Sequence, residues 1–292
     1  MKIAFSGLGV MGAPMAGHLV KAGHEVTGHN RSPEKARAWA SANESRAVGS
    51  LADVSGEIEA LILCVGNDAD VREVVEAALP GMRVGAVIID HTTTSAKVAR
   101  EMADLAAARN VAFLDAPVSG GQAGAEAGQL SIMIGGEAEA LAKVEPVLAA
   151  YAKAIRHMGP AGSGQLTKMA NQIAIAGVVQ GLAEAVHFAQ SAGLDTDAVY
   201  EAISKGAAQS WQMDNRWKTA AAGQFDFGFA VDWMRKDLGL VLEEARDNGS
   251  HLALTALVDQ FYSEVQAMGG SRWDTSSLAA RLQSRARKSG DA

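Results

Sequence analysis

Short apolar stretches rich in Val and Ile alternate with amphipathic stretches through the first half of the chain. The apolar stretches predict strands at residues 2–7, 25–30, 60–65, 86–90, 112–115 and 131–135. The segments between them predict helices at residues 12–22, 33–42, 68–79, 95–109 and 137–150. Because helices connect successive parallel strands, this alternation predicts a parallel sheet covered by helices on both faces.

The pattern changes after the glycine-rich segment 159–164, where the strand-like stretches end. A long Ala-rich segment, residues 165–192, predicts one helix that ends at Gly193. Its middle is apolar on nearly every side, which predicts burial between domains or subunits. Further helices are predicted at residues 196–205, 231–248, 252–268 and 277–286. We therefore expect an α/β domain at residues 1–162 and an all-α domain at residues 163–292.

Charge and composition exclude several kinds of partner. The net charge is −7 and the pI about 5.5, so no broad basic field attracts nucleic acid or an anionic membrane. The single cysteine, Cys64, lies in an apolar stretch, which favours a core position and fits a reducing compartment. The N-terminal residues lack a signal-peptide pattern, and the most apolar helical stretch, residues 173–183, is expected to be too short to span a bilayer. We expect a cytoplasmic protein without nucleic-acid, membrane or metal partners.

A glycine-rich motif links the first predicted strand to the first predicted helix. Residues 7–12 read Gly-Leu-Gly-Val-Met-Gly and match the dinucleotide-binding pattern G-x-G-x-x-G in its proper context. Its glycines would permit a tight turn, approach of a pyrophosphate and close packing of helix on strand. The alternative is an ordinary glycine-rich turn. The residues predicted to contact the cofactor here are Gly7, Leu8, Gly9, Val10, Met11 and Gly12.

The end of the second predicted strand bears on the choice of nucleotide. NAD-binding units usually carry an acid there for the ribose 2′-hydroxyl, but this chain has Asn30, Arg31 and Ser32. Arg31 can hold a 2′-phosphate through its guanidinium, and Ser32 can add a hydroxyl or cap the next helix. The alternative is a plain helix start beside a solvated charge. The pattern predicts NADP(H) in preference to NAD(H). Val65, at the end of another predicted strand, is expected to be a further cofactor contact.

Two later segments carry candidate chemistry. Ser119, Gly120 and Gly121 follow a predicted strand, and such a turn exposes consecutive backbone N–H groups that can bind an anion. Lys168 and Asn171 are three positions apart in the long helix and therefore share one face. A lysine held against an apolar helix loses solvation and its pKa falls, which suits acid/base catalysis. Taken alone, Lys168 could instead be a solvated charge.

Together, four segments in order, residues 7–15, 115–121, 162–171 and 236–238, resemble the 3-hydroxyisobutyrate dehydrogenase group of β-hydroxyacid dehydrogenases. The resemblance covers nearly the whole chain. It implies a Rossmann domain joined by a long helix to an all-helical domain, in homodimers or homotetramers. The strand end at residues 29–33 resembles the NADPH-dependent semialdehyde reductase branch. A small carboxylate-bearing hydroxy acid, semialdehyde or keto acid is the implied substrate.

The resemblance also implies roles for individual residues. Lys168 would be the acid/base, with Asn171 on the reacting oxygen. Residues implied to contact the cofactor are Thr93, on the nicotinamide side, and Lys236, at the junction with the substrate. Residues implied to contact the substrate are Ser119, Gly120, Gly121, Lys236, its neighbour Asp237, and Trp211, where some relatives place an aromatic ring. The chain departs from many members at Gln172, where they carry a second Asn, and the surroundings of Trp211 remain unassigned.

Two other readings stay open. Imine reductases share this architecture, and some relatives of such folds bind nucleotides without catalysis. Both usually lack the lysine, so Lys168 argues against each of them. The longer 6-phosphogluconate dehydrogenases share several motifs but need a much larger helical domain.

Overall fold

The computed structural model describes the backbone of residues 1–290 and the side chains of residues 1–284. The chain forms two compact units, Met1–Lys168 and the residues from Met169 onward. The predicted domain boundary between residues 162 and 163 stays a prediction.

A nine-stranded sheet forms the centre of the first unit. Its strands are β1 Lys2–Ser6, β2 Glu25–His29, β3 Arg46–Val48, β4 Ala60–Leu63, β5 Val87–Asp90, β6 Ala112–Asp115, β7 Val118–Ser119, β8 Leu130–Gly135 and β9 Ala152–Gly159. They are ordered β3-β2-β1-β4-β5-β6-β8-β7, and β9 pairs with β8. The neighbours from β3 to β6 are parallel, whereas β8 runs antiparallel to β6 and β7.

Three of these strands escaped the sequence analysis for physical reasons. β3 and β7 have only three and two residues, too few for an alternation to show. β9 pairs with β8 in a parallel register and is half-buried or exposed along its length. Its polar residues include Lys153, Arg156 and His157, so it lacks the apolar run that marks a buried strand.

Helices cover both faces of this sheet, as the alternating pattern predicts. They are α1 Gly12–Lys21, α2 Pro33–Ala42, α3 Asp68–Ala78, α4 Ala96–Ala107, α5 Gly121–Glu126 and α6 Ala138–Leu148. Successive strand residues point to opposite faces, so Ile3 and Phe5 pack in one hydrophobic cluster while Ala4 packs in another. The four-residue strand β4 is fully buried, which explains its unbroken apolar sequence.

The second unit is helical. α7 Ser163–Ser191 begins in the first unit and continues into this one, followed by α8 Thr196–Ile203, α9 Trp211–Ala221, α10 Val231–Asn248, α11 Ala253–Ala267 and α12 Leu278–Gly290. Ala176, Val179 and Ala183 bury one stripe of α7 in the core of this unit. The α/β domain followed by a helical domain with a long helix is therefore confirmed. α9 went unassigned because only Met213, Trp217 and Ala220 form its buried face.

The length of α7 corrects one sequence-based argument. The apolar stretch was expected to be too short to cross a bilayer, but α7 has 29 residues and is long and apolar enough to cross one by length and composition alone. Within the protein, 44% of the most apolar 18-residue segment of α7 is buried. Lys168, Asn171, Gln172 and Gln180 also lie along it, and such groups are costly in a bilayer core.

Candidate active site

The loop from β1 to α1 has space for a pyrophosphate. Gly7 has a φ of +98°, and a Cβ placed there would lie 2.1 Å from the carbonyl oxygen of Cys64. A Cβ on Gly12 would lie 1.9 Å from the carbonyl oxygen of Gly7. By contrast, a Cβ on Gly9 would meet no described atom within 4 Å. The first and third glycines are therefore demanded by the fold, and the second leaves open space where a phosphate can approach.

The first turn of α1 is suited to an anion. Within the described part of the chain, no side chain caps this turn and it contains no acid. α3 differs, because the Asn67 side chain accepts from the N–H groups of Ala69 and Asp70. Uncapped N–H groups at a helix N-terminus, together with the helix dipole, attract phosphate. Of the other loop residues, Leu8 is buried, Met11 is half-buried and Val10 is exposed. The loop therefore fits a dinucleotide.

Asn30 secures this loop from the neighbouring strand end. Its Oδ1 accepts from the Leu8 N–H at 3.0 Å, and its Nδ2 donates to the Ser32 carbonyl at 3.2 Å. The carboxamide therefore joins the glycine loop to the segment that precedes α2. Direct contact between Asn30 and the cofactor stays a prediction.

Arg31 and Ser32 lie beside that connection. The Arg31 side chain is 84% exposed, and its guanidinium is 3.3 Å from Asp70 Oδ1. Asp70 uses its other oxygen to accept from the Gly66 N–H at 3.1 Å. Ser32 occupies the N-cap position of α2, yet its hydroxyl makes no capping bond. A 2′-phosphate would therefore compete with Asp70 for the guanidinium.

The carboxyl ends of three parallel strands are tied together near the start of α7. Val65, just beyond β4, donates its N–H to Thr92 Oγ1 at 3.0 Å, beyond β5. Gln165 donates from Nε2 to the Thr92 carbonyl at 2.7 Å and accepts at Oε1 from the Thr94 N–H at 3.1 Å. Thr93 lies between these two bonded residues and is half-buried.

Asp115, at the end of β6, joins the same network. This buried carboxylate accepts from the Gly162 N–H at 2.7 Å and from the Gln165 N–H at 2.9 Å. Burial raises the pKa of Asp115, an effect that the backbone N–H groups oppose. N–H groups at the start of α7 are therefore already bonded to Asp115, so an anionic substrate needs donors from elsewhere.

Residues 119–121 offer such donors. Gly120 and Gly121 have φ values of +133° and +60°, a region that favours glycine. Both glycines are exposed, and Ser119 at the end of β7 is half-buried. Consecutive N–H groups in such a turn form a concave anion site.

Lys168 lies on α7 one helical turn after Gln165. It is only 9% exposed, which is the desolvated environment expected of an acid/base lysine and not that of a solvated surface charge. Asn171 follows on the same helix face and is half-buried.

In the second unit, Asn171 begins a chain of polar contacts that reaches α10. Its Nδ2 donates to Gln172 Oε1 at 2.8 Å, and Gln172 Nε2 donates to Asp237 Oδ2 at 2.7 Å. Asp237 Oδ1 lies 3.1 Å from Lys236 Nζ. Gln172, the departure noted in the sequence, thus connects Asn171 to the Lys-Asp pair. Because Asp237 is buried and bonded to its neighbours, it orients Lys236; its direct contact with substrate stays a prediction.

Trp211 opens α9 and is exposed. The Arg216 guanidinium lies 5.0 Å from the centre of its ring and pairs with Asp274 at 3.1 Å. The ring is therefore held by a cation–π contact. Its contact with a substrate stays a prediction.

A buried histidine directly follows β5. His91 Nδ1 is 2.6 Å from the Ala116 carbonyl, and Nε2 is 2.8 Å from the Tyr151 hydroxyl. Since a carbonyl only accepts, Nδ1 carries the proton and Nε2 accepts from the tyrosine. Burial lowers the pKa of His91 to about 4, so the ring is neutral at physiological pH. Its role is structural.

Several of these roles have no signal in the sequence. Asp115 and Gln165 fall within recognised motifs, but nothing local reveals that they bond across the fold. Asp70 carried no signal, because an acid in the first turn of a helix is ordinary. The pairing of Gln172 with Asp237 likewise depends on the tertiary structure.

Three features together define a dinucleotide-binding domain of the Rossmann type. They are the parallel sheet, the glycine loop with space for a phosphate, and a first helix that no described side chain caps. Residues 2–159 match a family described as the NAD binding domain of 6-phosphogluconate dehydrogenase. Residues 162–282 match one described as NAD-binding of NADP-dependent 3-hydroxyisobutyrate dehydrogenase.

Individual relatives are similar to this chain over nearly its full length. An uncharacterised oxidoreductase of Shewanella frigidimarina is 60% identical, over 97% of this chain and 98% of that protein. The 3-hydroxyisobutyrate dehydrogenase of Pseudomonas aeruginosa is 34% identical, over 89% of this chain and 91% of that protein. A structure of Mycobacterium tuberculosis 3-hydroxyisobutyrate dehydrogenase with L-serine superposes with a TM-score of 0.88 at 33% identity, covering 96% of this chain and 98% of that one.

The chain belongs to the 3-hydroxyisobutyrate dehydrogenase family of β-hydroxyacid dehydrogenases. It is an NAD(P)-dependent hydroxyacid dehydrogenase, an oxidoreductase that acts on CH–OH groups.

Proposed function

We propose that this enzyme interconverts a small β-hydroxy acid and its semialdehyde or keto acid with NADP(H), and that Lys168 is the acid/base. The observation that carries the proposal is the burial of Lys168 on α7. Lys168 lies one helical turn after Gln165, whose side chain bonds to the backbone on both sides of Thr93. Lysine side chains are seldom buried to this degree.

NADPH, when bound, supplies the hydride. Lys168, as an ammonium, donates a proton to the carbonyl oxygen in the reducing direction, and as a neutral amine it accepts the alcohol proton in the other. A positioned acid/base of this kind contributes roughly 10²- to 10⁴-fold. Asn171 has two amide hydrogens and uses one on Gln172, so the other can hold the reacting oxygen.

We propose that residues 119–121 hold the substrate carboxylate. One support is that this turn has two glycines with positive φ values. The other is that N–H groups at the start of α7 already donate to Asp115 and are not available to a substrate. Lys236, oriented by Asp237, is the further cation that we propose for the substrate and the cofactor. The bound ligand of the Mycobacterium tuberculosis relative, L-serine, is itself a β-hydroxy acid with a carboxylate. Trp211 remains a candidate substrate contact.

NADP(H) is the proposed cofactor in preference to NAD(H). Arg31 and Ser32, whose hydroxyl makes no capping bond, support this, since both follow a strand end that lacks an acid of its own. Asp70 opposes this preference, because its carboxylate binds the Arg31 guanidinium that a 2′-phosphate would need.

We also propose a cytoplasmic homodimer or homotetramer. The second unit exposes large apolar side chains, among them Val178, Phe188, Leu254 and Leu257. Exposed apolar side chains that form one contiguous patch are usually covered by another subunit.

One experiment tests the reaction and the role of Lys168 together. Wild type and Lys168→Ala are supplied with NADPH and a panel of short carbonyl acids, and nicotinamide absorbance is followed. We expect turnover of at least one acid by wild type, a loss of several orders of magnitude in kcat for the variant, and similar NADPH binding by both. A near-normal kcat in the variant would remove Lys168 from the chemistry. Preferred reduction of a cyclic imine would favour the imine-reductase alternative, and cofactor binding without any turnover would favour a non-catalytic protein.

A further inference from the structure

We propose that Gln165 is a positioning residue that fixes Thr93 relative to Lys168, so that its loss slows catalysis in folded, cofactor-bound enzyme. The inference rests on the proposed function, because it takes Lys168 as the acid/base and Thr93 as the residue on the nicotinamide side.

The carboxamide of Gln165 bonds to the backbone on both sides of Thr93. Nε2 donates to the Thr92 carbonyl at 2.7 Å, and Oε1 accepts from the Thr94 N–H at 3.1 Å. Gln165 is fully buried, so water does not compete for either bond. Two bonds from one planar group fix the orientation of the loop as well as its distance.

The other end of the connection is equally constrained. The Gln165 N–H donates to Asp115 Oδ2 at 2.9 Å, which anchors the first turn of α7 to the end of β6. From Gln165 to Lys168 the helix makes one turn, so the two residues share a face. A rigid helical turn therefore links the acid/base to the side chain that orients the Thr92–Thr94 backbone.

The chemistry of the site selects glutamine. It requires one donor for a carbonyl and one acceptor for an N–H at a fixed reach. Leucine has a similar size but leaves both backbone groups unpaired. An ionised glutamate accepts from Thr94 but places an oxygen against the Thr92 carbonyl. Both substitutions would release or displace the loop, and a displacement of about 1 Å can cost roughly 100-fold in rate.

Gln180 provides a matched control on the same helix. It is also buried, and its Nε2 donates to Glu184 at 2.6 Å, within the second unit. Gln180→Leu therefore removes a buried carboxamide from α7 without touching the Thr92–Thr94 backbone. It separates a loss of helix stability from a loss of positioning.

The experiment compares wild type, Gln165→Leu, Gln165→Glu and Gln180→Leu. NADPH fluorescence titration counts the folded, cofactor-binding sites, and kcat is expressed per site. Hydrogen–deuterium exchange of the peptide containing residues 92–94 is measured without cofactor. We expect kcat per site to fall at least about 10-fold in both Gln165 variants, with faster exchange in that peptide. Gln180→Leu should keep kcat per site within about twofold and exchange at the wild-type rate there.

A kcat per site within about twofold of wild type in a folded Gln165 variant overturns the proposal, and so does unchanged exchange at residues 92–94. A fall in Gln180→Leu equal to that in the Gln165 variants overturns it as well, since the effect would then be general to the helix. Failure of the proposed function looks different, because wild type would reduce no carbonyl acid or Lys168→Ala would remain active. The exchange measurement needs no turnover and still reports whether Gln165 holds the loop.

Discussion

Replacing Arg31 by alanine should weaken NADPH binding far more than NADH binding. Only NADPH carries the 2′-phosphate, and Arg31 is the cation at the strand end where that group is expected. Losing a charge-assisted hydrogen bond costs about 1.5–3 kcal/mol. That corresponds to a roughly 10- to 150-fold rise in the Kd for NADPH.

The ion pair with Asp70 refines this magnitude. The Arg31 side chain is 84% exposed and the pair is separated by 3.3 Å, so the pair itself contributes about 0–1 kcal/mol. A phosphate can therefore displace Asp70 at small cost. In Arg31→Ala the Asp70 carboxylate loses its neutralising partner and repels the phosphate, which places the loss toward the upper part of the range. Asp70→Asn should act in the opposite direction and tighten NADPH binding by up to about fivefold.

The assay is a fluorescence titration of each variant with NADPH and with NADH at one ionic strength. Arg37→Ala is the matched control, because Arg37 is also exposed, on α2, and pairs with Glu34 at 3.2 Å. It should leave both Kd values within about twofold. Equal losses for both cofactors in Arg31→Ala would show that Arg31 does not read the phosphate. A wild-type preference for NADH would overturn the cofactor assignment itself.

Three further predictions concern substrate, assembly and pH. A short aldehyde acid should have a much higher kcat/KM than its methyl ester, because the carboxylate orients the carbonyl; equal use of the ester would contradict the assignment of residues 119–121. Light scattering at micromolar concentration should show a dimer or tetramer, and a monomer would refute the proposed assembly. The free energy of unfolding should fall as the pH is lowered from about 6.5 to about 4, because His91 has a pKa of about 4 when folded and binds a proton more readily when unfolded. This residue accounts for about 3 kcal/mol of that fall, so urea unfolding of His91→Gln should depend less on pH over this interval; an unchanged dependence would count against the neutral buried ring.

Local pattern determined the architecture and the cofactor loop. Each apolar stretch of the parallel sheet identifies a buried strand, because such strands are covered on both faces and cannot alternate with polar residues. Within one strand–turn–helix unit, Gly12 is required by its contact with the Gly7 carbonyl and Gly7 by its φ of +98°. A motif confined to one unit of structure can be recognised from the chain alone. β9 could not be predicted in this way, because its exposed polar residues have no such pattern.

Only the tertiary structure decided how the site is held. Gln165 bonds to Thr92 and Thr94 across sequence separations of 73 and 71 residues, and Asp115 bonds to Gly162 across 47. Arg31 meets Asp70 across 39 residues. No local periodicity encodes such pairs, because a buried donor finds its acceptor only when the fold brings distant segments together. The chain by itself therefore predicted which residues carry the chemistry, and the folded structure decided which residues hold these candidates in place.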